Sequence, residues 1–224
     1  MILQTEAVVL HRMKYKNSSL IARIFTKDFG KMSIIMNGAG KQKGNVFGII
    51  EPPNIIKLNY YQRKQGSLQT CKEVHFLHHT PLIKKDILKL GVALSIVEIV
   101  DKTFHECDGS ANVYHLINDT LKIVNDTTYD SRIVLCFFLL KIIEALGFML
   151  DMSNKNSVMV SMNQEIKLFL QSLNKHSIHN IDDVKQNNIN LIEPIIFFEN
   201  YIKQHLKLSK DIQSFKMLKE MAYG

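Results

Sequence analysis

The sequence predicts an α+β chain. Five short strands form a small closed barrel or sandwich over residues 1–79, and a mainly α-helical region follows over residues 80–224. Three observations support this. Apolar residues alternate with period two through roughly the first 75 positions, then recur at three- and four-residue spacing after Thr80-Pro81. Gly-, Asp- and Pro-containing turns separate the alternating runs. Charge divides at the same place: residues 1–80 carry 12 Lys/Arg against four Asp/Glu, a net of +8, while residues 81–224 carry 16 against 17, a net of −1.

The first run is Gln4 to Leu10, with β-branched Val8 and Val9 inside it. In the second, Leu20, Ala22 and Ile24 alternate with Ile21, Arg23 and Phe25. In the third, Met32, Ile34 and Met36 alternate with Ser33 and Ile35. Asp28-Phe29-Gly30 joins these two, and Gly30 can take the positive φ of a short hairpin loop. Pro52-Pro53 precedes the fourth run, where Ile56, Leu58 and Tyr60 alternate with Lys57, Asn59 and Tyr61. Gln65-Gly66-Ser67 turns into a fifth run, Leu68 to Val74. Five strands this short favour closure, because a flat sheet would expose its edges.

At Thr80-Pro81 a capping residue and a first-turn proline predict the start of a long helix ending near Glu106 to Gly109. Ser110 caps a second helix striped by Val113, Leu116, Ile117, Leu121 and Val124. Asp130 or Ser131 caps a third, which Gly147 ends; its apolar run Ile133 to Leu146 predicts the buried centre of a bundle. Residues 148–163 show no clear period and read as a loop or short ribbon. Further helices are expected at about 164–174, 192–206 and 210–222, with Pro194 in a first turn.

Composition narrows the function classes. The 46% hydrophobic share can bury an ordinary core, and no apolar run reaches the ~18 residues of a spanning helix. The N-terminus has no basic stretch ahead of its apolar residues and no small-residue cleavage site, so no signal peptide is expected. Cys71, Cys107 and Cys136 lack C-x₂-C spacing and read as small buried hydrophobes. His75, His78 and His79 cluster near Glu73 without further ligands. Gly38-Ala39-Gly40-Lys41 fails as a phosphate loop, because position 35 is Ile and position 42 is Gln. No enzyme, cofactor or metal is expected.

The basic residues cluster at turns. Arg12, Lys14 and Lys16 flank Tyr15; Lys41 and Lys43 lie in a Gly-rich loop; Arg63 and Lys64 follow Tyr60-Tyr61. With Arg23 and Lys31 they form the candidate nucleic-acid set. A basic groove with neighbouring aromatics is how single strands are held without sequence preference. Tyr60 or Tyr61 is expected to pack inside the barrel, and Phe29 under its turn.

The order of motifs carries a resemblance. Ala7-Val8-Val9-Leu10-His11-Arg12 leads through Lys14-Tyr15 to Ser19-Leu20-Ile21. Ile24-Phe25-Thr26-Lys27-Asp28-Phe29-Gly30-Lys31 then leads to Asn37-Gly38-Ala39. Ile50-Glu51-Pro52, Leu139-Leu140 through Ala145-Leu146-Gly147-Phe148, and His205-Leu206 with Lys210 to Ser214 fall in matching order. The chain resembles the RecO family of recombination mediators over most of its length, least so over residues 149–190.

The resemblance implies an OB-fold for residues 1–79. It also implies binding of single- and double-stranded DNA, annealing of complementary strands, and work with RecR on DNA coated by single-stranded-DNA-binding protein, so that RecA can load. An acidic C-terminal tail on that coat protein would suit an apolar groove beside a cation, and Lys84, Lys85 and Lys89 are the candidates. The implied address is cytoplasmic and nucleoid-associated, away from membranes. One departure stands out. Many members carry a four-cysteine zinc site after the Leu-Gly-Tyr helix, whereas residues 148–156 contain neither Cys nor His, so residues 149–163 read as a degenerate subdomain without metal. Two other readings are a generic OB-fold RNA- or DNA-binding factor with a helical docking domain, and a nuclease, for which no acidic cluster is visible.

Overall fold

The computed structural model describes residues 1–38, 46–148, 150, 163–184, 189–206 and 211–223. Its strands are β1 (Ile2–Tyr15), β2 (Ser19–Thr26), β3 (Gly30–Met36), β4 (Ile55–Tyr61) and β5 (Gln69–His78). A one-turn helix, α1 (Val46–Ile49), lies between β3 and β4. The strands close into a barrel in the order β1-β2-β3-β5-β4. Every pairing is antiparallel except β3 with β5, which is parallel. This is the topology of an OB-fold.

Alternation explains the barrel. Leu20, Ala22 and Ile24 of β2, Met32, Ile34 and Met36 of β3, and Ile56, Leu58 and Tyr60 of β4 all point inward and are buried together. β1 is long enough to serve two neighbours: Ile2 to Val8 pair with β4, and Ala7 to Tyr15 pair with β2. The register slips between Val9 and His11, leaving Leu10 as the extra residue of a bulge. β5 runs four residues beyond the expected Val74, so His75 and His78 lie on a strand rather than in a linker.

The helices are α2 (Ile87–Thr103), α3 (Ala111–Asp126), α4 (Ser131–Ala145), α5 (Gln164–Lys175), α6 (Ile192–Leu206) and α7 (Gln213–Tyr223). Asp86 caps α2 by accepting from the amides of Leu88 and Lys89, so the expected start at Thr80-Pro81 is corrected. The chain from Pro81 forms only a 3₁₀ turn, Ile83–Lys85, tied down by the Asn125 side chain, which accepts from the amides of Leu82 and Ile83. Ser110 and Asp130 cap α3 and α4. α4 is buried on nearly every side and packs against α2, α3, α5 and α6, as expected of a central helix. The expected subdomain at 149–163 lies almost wholly outside the described residues. None of the described helices is long and apolar enough to cross a membrane.

The helical region sits on the barrel. Val8, Leu10, Phe25 and Ile55 point out of the barrel and are buried in the same core as α2, α3 and α4. α2 ends at Thr103, short of the expected 106–109, because the next residues turn back onto β3. Phe104 meets Phe25 edge-on at 5.3 Å. The Cys107 amide donates to Lys31 O at 2.7 Å, and the Lys31 amide donates to Asp108 O at 3.0 Å. Two glycines permit this contact. A Cβ on Gly30 would fall 2.3 Å from Asp108 O, and one on Gly109, at φ +123°, would fall 2.3 Å from the Phe25 ring.

Asp101 of α2 anchors the contact electrostatically. Arg23 grips it with two bonds, Nε to Oδ1 at 2.7 Å and Nη2 to Oδ2 at 2.6 Å. Lys31 Nζ lies 3.2 Å from Oδ1, and also donates to the carbonyls of Asp101 and, at 2.9 Å, Phe104. Burial alone would raise the Asp101 carboxyl, but the Arg23 hydrogen bonds and the Lys31 charge outweigh it and hold the pKa below its ordinary value. Its stabilising contribution is therefore full above the unfolded carboxylate value of about 3.9, and is lost as pH falls through the lower folded value. Asp101→Asn leaves two largely buried cations without a counter-charge. It should cost about 2–4 kcal/mol in urea unfolding at pH 7, and the difference from the parent should shrink as the pH drops below about 4.

Candidate nucleic-acid interface

The candidate cations divide into three groups by what they touch. Lys14, Tyr15 and Lys16 form the β1–β2 turn and are exposed, with Tyr15 at 39%. Lys16 takes a positive φ of 52° and sets its ammonium 5.4 Å from the Tyr15 ring centre. Arg63 and Lys64 are exposed on the β4–β5 loop. None of these four cations forms an ion pair with any described residue, so their field is open to solvent. The backbone of the β4–β5 loop is braced by Gln69, which is 6% exposed. Its Oε1 accepts from the Arg63 amide at 2.7 Å, and its Nε2 donates to Ser67 O at 2.7 Å and Lys64 O at 3.1 Å.

Arg23 and Lys31 form the second group and are corrected. Lys31 is 7% exposed, and both cations are tied to Asp101 at the seam between barrel and helices. Lys31 is buried there, whereas the Arg23 side chain stays 31% exposed with its guanidinium committed to Asp101. The same seam affects His11, whose pKa is lowered by burial and then by the Arg23 charge, so the imidazole stays neutral near pH 7.

Arg12 is an intermediate case. Its guanidinium packs over the Phe47 ring at 4.2 Å, donates to Phe47 O at 2.6 Å and meets Glu51 at 3.3 Å, so it holds α1 against β1. Lys41 and Lys43 lie outside the described residues. The end of β3 lies beside the start of β2: Met36 pairs with Leu20, and Ser19 Oγ donates to Asn37 Oδ1.

The partner-binding candidates are also re-placed. Lys84 pairs with Glu51 at 2.6 Å. Lys89 donates to the carbonyls of Asn125 and Thr127 at 2.8 and 2.7 Å, which neutralises the C-terminus of α3. Only Lys85 of the three points to solvent without an ion pair among the described residues. A cleft of about 510 Å³ between α3, α4 and the 3₁₀ segment Ile178–Asp183 is lined by Val113, Leu116, Phe137 and Ile178, with Lys141 at its side, where it pairs with Glu144 at 3.0 Å and donates to Asn174 Oδ1 at 2.8 Å.

Burial pushes the Cys71 thiol up to about 11 and raises Cys136 as well, so neither is a thiolate at neutral pH. Among the described residues, no three His, Cys, Asp or Glu side chains converge on a common point.

Sequence reasoning missed the aromatic and amide groups around the β2–β3 hairpin. Tyr60 points into the barrel and Tyr61 outward at 45% exposure, as alternation requires. Phe29 does not pack under its turn. It is 43% exposed and stands edge-on to Tyr60 at 6.4 Å. An aromatic at a hairpin tip, where a polar residue would suffice, was the available signal.

The fold is that of an OB-barrel protein with a helical domain fixed to one flank. Comparison with known proteins agrees across both parts. Residues 1–79 match the family described as Recombination protein O N terminal, and residues 84–185 match Recombination protein O C terminal. The chain belongs to the RecO family. It is 28% identical over 148 residues, 66% of this chain, to the DNA repair protein RecO of Pelodictyon phaeoclathratiforme, covering 57% of that protein. Identity to the DNA repair protein RecO of Chlorobium luteolum is also 28% over 148 residues, 66% of this chain and 56% of the relative. For that of Thermoanaerobacter sp. it is 28% over 171 residues, 76% of this chain and 67% of the relative. The matched region thus spans little more than half the length of the first two relatives.

The division into open and engaged cations gives a clear expectation. Lys14→Glu with Lys16→Glu should lower affinity for a single-stranded oligonucleotide at least tenfold in fluorescence polarisation and leave the melting temperature within about 2 °C. Lys31→Met should do the reverse, lowering the melting temperature by several degrees with little change in the salt dependence of binding.

Proposed function

We propose that this chain is a recombination mediator in DNA repair. It binds single- and double-stranded DNA, anneals complementary strands, and with RecR helps load RecA on DNA coated by single-stranded-DNA-binding protein. The observation that supports it best is the pair of unpaired basic turns on an OB barrel in a chain whose two halves both match the RecO family. No carboxylate or metal-ligand cluster among the described residues favours a nuclease.

The physical logic follows from geometry. The β1–β2 turn and the β2–β3 hairpin lie at opposite ends of β2, and the β4–β5 loop packs beside that hairpin. Ser19 to Thr26 at about 3.3 Å per residue separates the two basic groups by roughly 23 Å. That length matches about seven stacked nucleotides at ~3.4 Å each, within the usual site size of one OB barrel. Neutralising phosphates on one strand lowers its repulsion for a second, which is what annealing requires. The helical domain, near neutral in charge, serves protein partners. For a tail that ends in a hydrophobe and a carboxylate, the apolar cleft between α3 and α4 suits the hydrophobe, and the tail carboxylate would have to displace Glu144 from Lys141.

Four phosphate contacts, from Lys14, Lys16, Arg63 and Lys64, give a slope of log K against log salt of about −2.8 on a single strand; adding Lys41 and Lys43 would take it to about −4.2. The deciding experiment is annealing of complementary oligonucleotides coated with cognate single-stranded-DNA-binding protein, with and without its C-terminal tail. Faster annealing that depends on the tail is expected. No annealing and no tail dependence would sink the mediator reading, and a marked preference for RNA would favour a generic OB-fold factor.

A further inference from the structure

We propose that the cleft between the β2–β3 hairpin and the β4–β5 loop is a pocket for one unstacked nucleobase of a single strand. The proposal rests on the nucleic-acid reading above. It adds the point at which a base, rather than a phosphate, is held.

The cleft measures about 150 Å³, the scale of a single ring system. Its floor is apolar: Met32 and Tyr60 are 6% and 3% exposed. Tyr60 is desolvated enough that burial, and then the Asp28 charge, raise its phenol pKa, so the ring presents a neutral face. Phe29 forms one wall. Its ring stands at 85° to that of Tyr60, so it is propped upright and cannot fold down onto the floor. The opposite side is the turn at Gly66, where φ is +74° and nothing lies within 4 Å of the Cβ position.

The rim is polar and uncommitted. The side chains of Gln62, Arg63 and Gln65 are exposed and form no hydrogen bond or ion pair with any described residue. The loop that carries them is nonetheless held in shape by the three bonds of buried Gln69. Such a loop presents amides without losing order on binding, so the pocket is preformed. On the helical side Glu106 accepts from Ser33 Oγ at 2.5 Å and places a carboxylate at the inner edge. A phosphate is repelled there and is left to Arg63 at the mouth.

One ligand chemistry satisfies all of this. It needs a flat π-face for Phe29, an edge of donors and acceptors for two amides and a carboxylate, and an anion displaced to the outside. A nucleobase on its sugar-phosphate has that layout.

The test uses the intact protein and fluorescence polarisation with a 12-nucleotide single strand, compared with the same backbone made abasic. The wild type should prefer the base-bearing strand by about tenfold or more, as one stacked base contributes. Phe29→Ala and Gln65→Ala should each erase most of that preference while leaving the melting temperature and the salt slope in place. Arg63→Gln should flatten the salt slope by about 0.7 and keep the preference. Equal binding of both strands by the wild type, or a preference that survives Phe29→Ala and Gln65→Ala, would overturn the pocket and spare the nucleic-acid reading. If neither strand binds, that reading falls as well.

Discussion

The structure depends on the docking of α2 against the outer face of β1, with Asp101 reaching across to β2 and β3 and the turn after α2 bonded to β3. Without it Val8, Leu10, Phe25 and Ile55 would be an apolar patch on the outside of a small barrel. Burying a side chain such as Phe25 contributes on the order of 1.5–3 kcal/mol, so these four residues alone join the two halves into one cooperative body. Asp101 gives the docking its register. It offers two carboxylate oxygens to two cations that sit on adjacent strands, and Arg23 of β2 and Lys31 of β3 fit it only when α2 lies at one place along the sheet.

That docking also decides which charges remain available to a ligand. The N-terminal part carries a net of +8, yet Arg12, Arg23, Lys27 and Lys31 each face a carboxylate. On β2 and β3, a common ligand surface of OB barrels, Phe25 is buried against the helical domain and Arg23, Lys31 and Ser33 are bonded to it. Among the described residues, open cations lie at the two ends of β2, at Lys14 and Lys16 and at Arg63 and Lys64, and also on β4 and β5, at Lys57 and Lys72.

Much of this was legible in the sequence, and the physical reason is periodicity. Each barrel strand has one wet face or one docked face, so Leu20, Ala22 and Ile24, or Ile56, Leu58 and Tyr60, mark the inside by alternation alone. Caps such as Ser110 and Asp130 are local chemistry and were readable for the same reason. The seam was not. Phe25 and Leu10 alternate with core residues and look like outward positions, and nothing local says that a helix 75 residues later will cover them. The pairing of Arg23 and Lys31 with Asp101 was not legible either, because composition counts charges and not their partners. The helix start at Thr80-Pro81 failed because Asp86 caps more strongly and Asn125, from another helix, holds the intervening turn.

The seam and the candidate base pocket are not independent. Segment 104–109 bonds to the backbone of Lys31 and, through Glu106, to Ser33, and the same segment supplies the helical edge of the cleft beside Phe29. Gly30, where β3 begins, is held against Asp108 so closely that no side chain would fit. The hairpin that carries Phe29 is therefore positioned by the helical domain as much as by the barrel. Weakening the Asp101 anchor should loosen Phe29 and Met32 together. An isolated barrel would keep its basic turns yet lose the rigid wall on which a base could stack. Charge on this chain belongs to the barrel alone, but shape at the cleft belongs to both halves, and this explains why an OB barrel here carries a helical domain locked to its flank.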